Sequence, residues 1–247
     1  MRKKRHGNER LLALSALLYP SAEEKAVSPA QVFGNDRPLV LEIGCGKGDF
    51  VTKLSLLESD RNYIALERVA DVCVMAIEKY ARSRGLGDMA PNGGWLAPDG
   101  QLYKNGAVWD IPAELRGNVR FSVADAADFA STLPDASVSL LAANFSDPWP
   151  GKGDKDRRLT SPGFLSHYRR ILRPDGVLRF KTDNDGLFDY TVGSLTENGF
   201  RIRFLTRDLH AAPPPDFTDV VTEYERNFME KGVPIKMLEA GIAGQGE

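Results

Sequence analysis

The sequence predicts an α/β fold, a mostly parallel sheet with helices on both faces, and three observations predict it. Short apolar runs alternate with amphipathic stretches from Leu39 onward, the pattern of strands joined by crossover helices. A glycine cluster, Gly44-Cys45-Gly46-Lys47-Gly48, stands where the first run hands over to the first helix. Such folds admit ligands there, because glycines allow a tight turn and close backbone approach at a helix N-terminus. Finally, the run Ser137–Asn144 stops abruptly at Phe145-Ser146-Asp147-Pro148-Trp149-Pro150. These prolines cannot continue a central ladder, and they stiffen the residues before them.

The elements follow in order. Residues 1–36 read as a basic arm (Arg2-Lys3-Lys4-Arg5, with Arg10), a short helix over Glu9–Leu18 and a loop. Residues 37–247 read as one domain. Leu39–Ile43 is the first strand, too short for a helix, and Gly48–Glu58 is the helix after the glycines. Asn62–Leu66 is the second strand, and Val69–Arg84 the second helix, with apolar residues at helical spacing. Val119–Val123 is the third strand, Ala126–Ser131 a short helix, and Ser137–Asn144 the fourth strand. Ser161–Leu172 is a helix, Gly176–Lys181 the fifth strand and Asp185–Asn198 a further helix. Arg201–Thr206 and Thr222–Phe228 read as two last strands around Pro213-Pro214-Pro215. One stretch breaks the rhythm: Gly87–Gly117 carries Gly93-Gly94, Asp99-Gly100 and Asn105-Gly106, with Trp95, Tyr103 and Trp109 between. These turn signals predict a hairpin-like excursion. It leaves the sheet at the strands' N-terminal ends, so it is expected near the sheet edge, away from a ligand at their carboxyl ends.

Composition excludes several classes. Apolar content of 42% and charged content of 27% are ordinary globular values. No apolar run approaches the roughly 20 residues that span a bilayer. The stretch Leu11–Leu18 contains Ser15 and lacks a small-residue cleavage site, which argues against a signal peptide and makes the cytoplasm the expected location. Cys45 and Cys73 have no paired spacing, and His6, His167 and His210 are scattered, so neither a disulfide framework nor a metal site is expected. A net charge of −2 argues against a generally nucleic-acid-coating protein. Local basic patches remain possible footprints, at residues 2–5 and from Lys152 through Arg173.

Chemistry concentrates at the strand ends. An acid, Glu42, precedes the glycines, whose Gly-x-Gly-x-Gly spacing differs from the dinucleotide fingerprint. A pyrophosphate would be repelled by Glu42, whereas a ligand bearing an amino group and a sulfonium would be attracted, so S-adenosylmethionine is favoured over NAD. Glu67 closes the second strand, the position that suits ribose hydroxyls. Asp125 closes the third, where a carboxylate can receive an adenine amino group, cap the following helix, or do both. The turn holds Asp147 beside flat side chains, and Lys152, Arg157 and Arg158 follow it. A rigid acid, aromatic faces and cations together suit a base on a phosphate backbone.

With the glycine loop, Glu67, Asp125, the Phe-Ser-Asp-Pro-Trp-Pro turn, Phe180-Lys181-Thr182-Asp183-Asn184 and Thr222-Glu223-Tyr224-Glu225 in this order, the chain resembles the bacterial tRNA (guanine-N7)-methyltransferases. The resemblance runs from about Phe33 to Leu238, the excursion excepted. It implies a Rossmann-like class I methyltransferase sheet of seven strands and methylation of the variable-loop guanosine, position 46, of tRNA. It also implies S-adenosylmethionine as cofactor, held by Glu42, Gly44, Gly46, Gly48, Glu67, Asp125, Asn144 and Asp147. Asp147 is the implied active-site residue. Lys152, Arg157, Arg158, Asp183 and Thr222–Glu225 are the implied substrate contacts, on a monomer or homodimer. The family usually carries lysine after the Pro-Trp turn; here Gly151 stands there and Lys152 follows.

N7 of guanine presents a lone pair, so attack on a methyl group requires no general base. Alignment of the reacting atoms is the main requirement. N7 and O6 are acceptors, which leaves N1–H and the exocyclic amine for a carboxylate, with Asp183 or Glu225 as candidates. Trp149 packs beside the base or forms a lid over the core. The rivals are a cap or small-molecule methyltransferase, a non-catalytic RNA-binding protein and a NAD dehydrogenase. They leave the joined basic run, the intact acids and the glycine spacing, respectively, unexplained.

Overall fold

The computed structural model describes residues 7–20, 27–91, 93–151, 153–215 and 217–244. Its centre is a seven-stranded sheet ordered β6-β2-β1-β7-β8-β10-β9, in which only β10 runs against its neighbours. The strands are β1 (Leu39–Ile43), β2 (Asn62–Leu66), β6 (Val119–Ser122), β7 (Val138–Asn144), β8 (Leu172–Thr182), β9 (Phe200–Thr206) and β10 (Lys236–Ile242). β1 and β2 are buried at every residue, as expected of parallel strands covered on both faces. One face is covered by α1 (Gly7–Ala13), α3 (Asp49–Leu57) and α4 (Ala70–Ser83); the other by α5 (Ala126–Thr132), α6 (Pro162–Ile171) and α7 (Asp185–Glu197).

The expected seven-stranded, mostly parallel sheet is present, but two segments near its end differ from expectation. Thr222–Phe228, read as a strand, instead caps and forms most of the helix α8 (Glu223–Met229). The Thr222 hydroxyl accepts the Glu225 amide at 3.1 Å, the Thr-x-x-Glu capping signature. The seventh strand is instead β10, whose apolar run is broken by Glu239 and a buried Lys236. Pro29–Phe33, read as loop, is the short helix α2, started by a Ser28–Gln31 capping box and stopped by Gly34 at φ 67°.

The N-terminal segment is docked rather than free. Ala13, Leu14 and Leu17 are fully buried, and Leu18 bridges to Phe121 of β6. Arg10, grouped above with the basic arm, is buried and ion-paired with Glu78 of α4. Arg2–Arg5 lie outside the described residues.

The excursion forms a second, three-stranded antiparallel sheet: β3 (Asp88–Met89), β4 (Trp95–Leu96) and β5 (Leu102–Tyr103). Gly87 permits it, since at φ 100° a Cβ would fall 2.0 Å from the Leu96 carbonyl oxygen. Trp95 is fully buried, its indole N–H donating to Leu86 at 2.6 Å, and Trp109 stacks on Tyr103. These rings join α1 and α4 in the core beside β6, the edge strand.

Candidate functional site

A cavity of about 530 Å³ opens across the carboxyl ends of β1, β2, β6 and β7, and Gly44, Gly46, Glu67, Asp125, Asp147 and Trp149 are among its walls. Glu67 organises the rim: one carboxylate oxygen accepts the Gly46 amide at 3.1 Å, the other the Val69 amide at 2.8 Å. The acid at the end of β2 thus ties the glycine loop to the start of α4. Asp125 caps α5 by accepting the Ala127 amide at 2.9 Å, and still faces the cavity. Gly48, grouped with the cofactor residues above, is buried away from the cavity walls. At φ 76° its missing Cβ lets α3 approach α4, where it would otherwise meet Ala76 Cβ at 2.7 Å.

Glu42 and Asn144 lie behind this wall, both buried and neither lining it. The Asn144 amide donates to Glu42 at 3.4 Å, while Glu42 Oε2 and Asn144 Oδ1 have no hydrogen-bond partner among the described residues. Two orphaned acceptors suit a cationic donor. Burial raises the Glu42 carboxyl to about 8, with the Asn144 amide and the Lys181 charge opposing only in part. Unfolded chain releases this proton near 4.5 and folded chain near 8. From this residue, stability therefore falls as pH rises between those values and levels off above them. Glu42→Gln is expected to remove that slope, read from urea unfolding across a pH series.

The Pro-Trp turn is strained at both ends, Phe145 at φ 53° and Trp149 at φ 42°, conformations that non-glycine residues rarely adopt. Arg158 holds it: the guanidinium donates to the carbonyls of Pro148 and Trp149, both at 3.0 Å, and lies over the Tyr190 ring. Arg158, expected as a substrate contact, is thereby committed to the turn. Arg157 is the looser cation, its guanidinium 3.4 Å above the Trp149 ring and its ion pair with Asp154 exposed. Asp147 is exposed, and its carboxylate has no hydrogen-bond partner among the described residues. Lys152 lies outside the described residues.

Across the rim, the four residues Thr222–Glu225 divide their work. Thr222 is the helix cap, and Glu223 faces solvent near Lys47. The Glu223 amide donates to Asp49, and the Val221 carbonyl accepts from Lys53, so this segment sits on α3. Tyr224 is half-exposed and forms an aromatic ladder with Phe145 and Phe228, centroids 5.0 Å apart at each step. Burial first, then the nearby Asp183 and Asp147 carboxylates, push its hydroxyl pKa up.

Glu225, a candidate for the guanine edge, is fully buried and paired with Lys181 at 2.6 Å, with His210 at 3.3 Å on its other oxygen. It offers no exposed carboxylate, whereas Asp183, the other candidate, is partly exposed. Asp183 is not the cap of α7; that role falls to Asn184, whose side chain accepts the Leu187 amide. Lys181 and His210 were not singled out by sequence reasoning. The available signal for Lys181 was a second cation, after Arg179, in the otherwise apolar strand Val177-Leu178-Arg179-Phe180-Lys181. His210 gave no local signal, because its acidic neighbours, Asp219 and Glu225, lie further along the chain.

Among the described residues no group of histidine, cysteine and acidic side chains could hold a metal ion, and no helix is long and apolar enough to cross a membrane. Comparison with known proteins places the chain in context. A family model described as "Putative methyltransferase" matches residues 36–238. A tRNA (guanine-N(7)-)-methyltransferase of Lactococcus lactis subsp. cremoris is 32% identical over 97% of this chain and 96% of its own length. One of the same name from Bacillus licheniformis is 38% identical, over 85% and 83% respectively. Among solved structures, the 16S rRNA methyltransferase KamB superposes with a TM-score of 0.55 at 13% identity, covering 92% of this chain and 94% of its own. At that identity the likeness is one of fold.

Proposed function

Since the chain belongs to the tRNA (guanine-N(7)-)-methyltransferase family, we propose that it transfers a methyl group from S-adenosylmethionine to N7 of the variable-loop guanosine, position 46, of tRNA. Asp147 carries this reading. Its free carboxylate stands on a stiff turn where the cavity meets the Asp183–Tyr224 rim.

The residues fit the cofactor. Glu42 Oε2 and Asn144 Oδ1 are buried polar atoms without a hydrogen-bond partner among the described residues, and an ammonium group would answer both. Glu67 would take the ribose hydroxyls, Asp125 the adenine amino group, and Gly44 and Gly46 would admit the chain between them. When bound, S-adenosylmethionine supplies an electrophilic methyl group on a positively charged sulfur. The protein's part is to bind, orient and balance charge. As N7 gains the methyl group, positive charge arrives on the purine and no proton leaves it. An ionised Asp147 near the base favours that shift more in the transition state than before it. Asp183 would receive N1–H and the exocyclic amine. Arg158 keeps the turn aligned, and Lys181 with Glu225 anchors the opposite rim. The test is competition among acceptors: with labelled cofactor, tRNA should be methylated far faster than free guanosine or a cap analogue. Equal or better transfer to the small acceptors would favour the rival reading.

Binding to tRNA is expected to depend on salt, with Arg157 contributing one phosphate contact. Arg157→Glu should flatten the slope of log K against log salt by about 0.7 to 0.9. Arg158→Ala should instead slow transfer with little change in that slope, because its guanidinium is bonded to the turn. Measuring tRNA affinity across a salt series for both variants checks the division. Equal loss of slope in the two would contradict it.

A further inference from the structure

Within the cavity, one contact has no role in what has been assigned so far. The Arg157 guanidinium carbon lies over Trp149, 3.4 Å from the ring centroid. That is the separation of stacked planar groups, and an aromatic face attracts a cation through its quadrupole. Platform and cover are held very differently. Trp149 is fixed, its carbonyl and that of Pro148 both accepting from Arg158, and it is followed by Pro150. Arg157 is half-exposed, and its one ion pair among the described residues is the long, solvent-facing one with Asp154.

From this we infer that the Trp149 face is the stacking platform for the target guanine, and that Arg157 occupies it only until the base arrives. The inference rests on the reaction proposed above. During that reaction the bond from carbon to sulfur breaks with its electron pair remaining on sulfur, and the N7 lone pair forms the new bond. The purine ends as a planar cation, the same kind of group that Trp149 already holds. Neutral guanine stacks on the face, but the cation–π attraction grows as charge develops, so Trp149 favours the transition state over the bound substrate. Arg157, once displaced, is free to meet a backbone phosphate, which makes opening of the platform and capture of tRNA a single event.

Trp149 fluorescence tests this directly, because Trp95 and Trp109 are buried in the core on the excursion and a Trp149→Phe protein supplies their background. The probes are guanosine and 7-methylguanosine, at a pH where the latter keeps its N1 proton and its positive charge. The wild-type protein should bind 7-methylguanosine about tenfold more tightly than guanosine, as a cation on a desolvated ring requires. Arg157→Ala should tighten both nucleosides by removing the incumbent, while weakening tRNA. In calorimetric titrations, which need no fluorophore at this position, Trp149→Leu should abolish the discrimination and, in activity assays, slow single-turnover transfer about tenfold, with tRNA affinity little changed; Trp149→Phe should fall between. Equal affinity for the two nucleosides, weaker nucleoside binding by Arg157→Ala, or wild-type transfer by Trp149→Leu would overturn the inference. If tRNA methylation at guanine N7 stands while these fail, the exchange alone is wrong. Absence of that methylation in the wild type refutes the parent reaction, and the titration still judges the platform.

Discussion

Asp147→Ala is expected to leave the protein folded and to lower kcat by about 10²- to 10³-fold, the cost of losing one well-placed electrostatic group. The expectation of an intact fold follows from exposure: the carboxylate is solvent-facing and has no hydrogen-bond partner among the described residues. The turn itself is held by Arg158 and by the Phe145 amide, which donates to the Lys181 carbonyl at 2.8 Å. The expected loss in rate follows from position, since in the proposed reaction charge moves past this residue as the methyl group crosses. Asp147→Asn should recover little, because it keeps the shape and removes the charge. Single-turnover rates at saturating cofactor, beside urea unfolding curves, make the check. Near-wild-type turnover in Asp147→Ala would remove this residue from the mechanism.

Lys181→Met is the second large expectation, this time in stability. Lys181 and Glu225 are fully buried and 2.6 Å apart. Removing one member strands the other charge in the interior, which costs about 3–5 kcal/mol. Replacing both, Lys181→Met with Glu225→Leu, should recover most of it, because a buried ion pair is often no better than an apolar pair of similar volume. The double variant should nevertheless transfer methyl groups slowly. The pair joins β8 to the start of α8, and α8 presents Tyr224 to Phe145. Denaturant unfolding of the single and double variants, paired with the rate of each, separates the two effects. A single variant as stable as wild type would contradict the burial argument.

Where the chain obeyed short-range rules, its sequence was readable. Strands β1 and β2 announced themselves as short apolar runs, and the glycine loop and the Pro-Trp turn were placed by residues with few conformational choices. Glu67, Asp125 and Asp147 were found because an acid at a strand end in this fold meets the cavity. What stayed hidden depends on partners remote in sequence. β10 carries Lys236 and Glu239, whose charges are answered by Asp185 at the start of α7 and by Arg179 on the neighbouring β8. Thr222–Phe228 reads as a strand, yet its two aromatic residues, Tyr224 and Phe228, stand four apart at helical spacing, and the capping bond of Thr222 starts the helix there. Arg157 and Arg158 are neighbours of identical type, yet one grips two carbonyls and the other rests on an indole, a difference no local pattern carries. Glu225 looked like a free acid because Lys181 is 44 positions away.

The central claim is that this protein methylates N7 of one guanosine in the variable loop of tRNA. Its most direct test is incubation of unmodified tRNA with labelled S-adenosylmethionine, followed by the reduction and aniline scission that break RNA at 7-methylguanosine. The account predicts label in tRNA and one cut, at the variable-loop guanosine, with both lost when that guanosine is replaced by adenosine and both absent with Asp147→Ala. Label without scission, scission at another guanosine, or label that persists in the adenosine-substituted tRNA would contradict it.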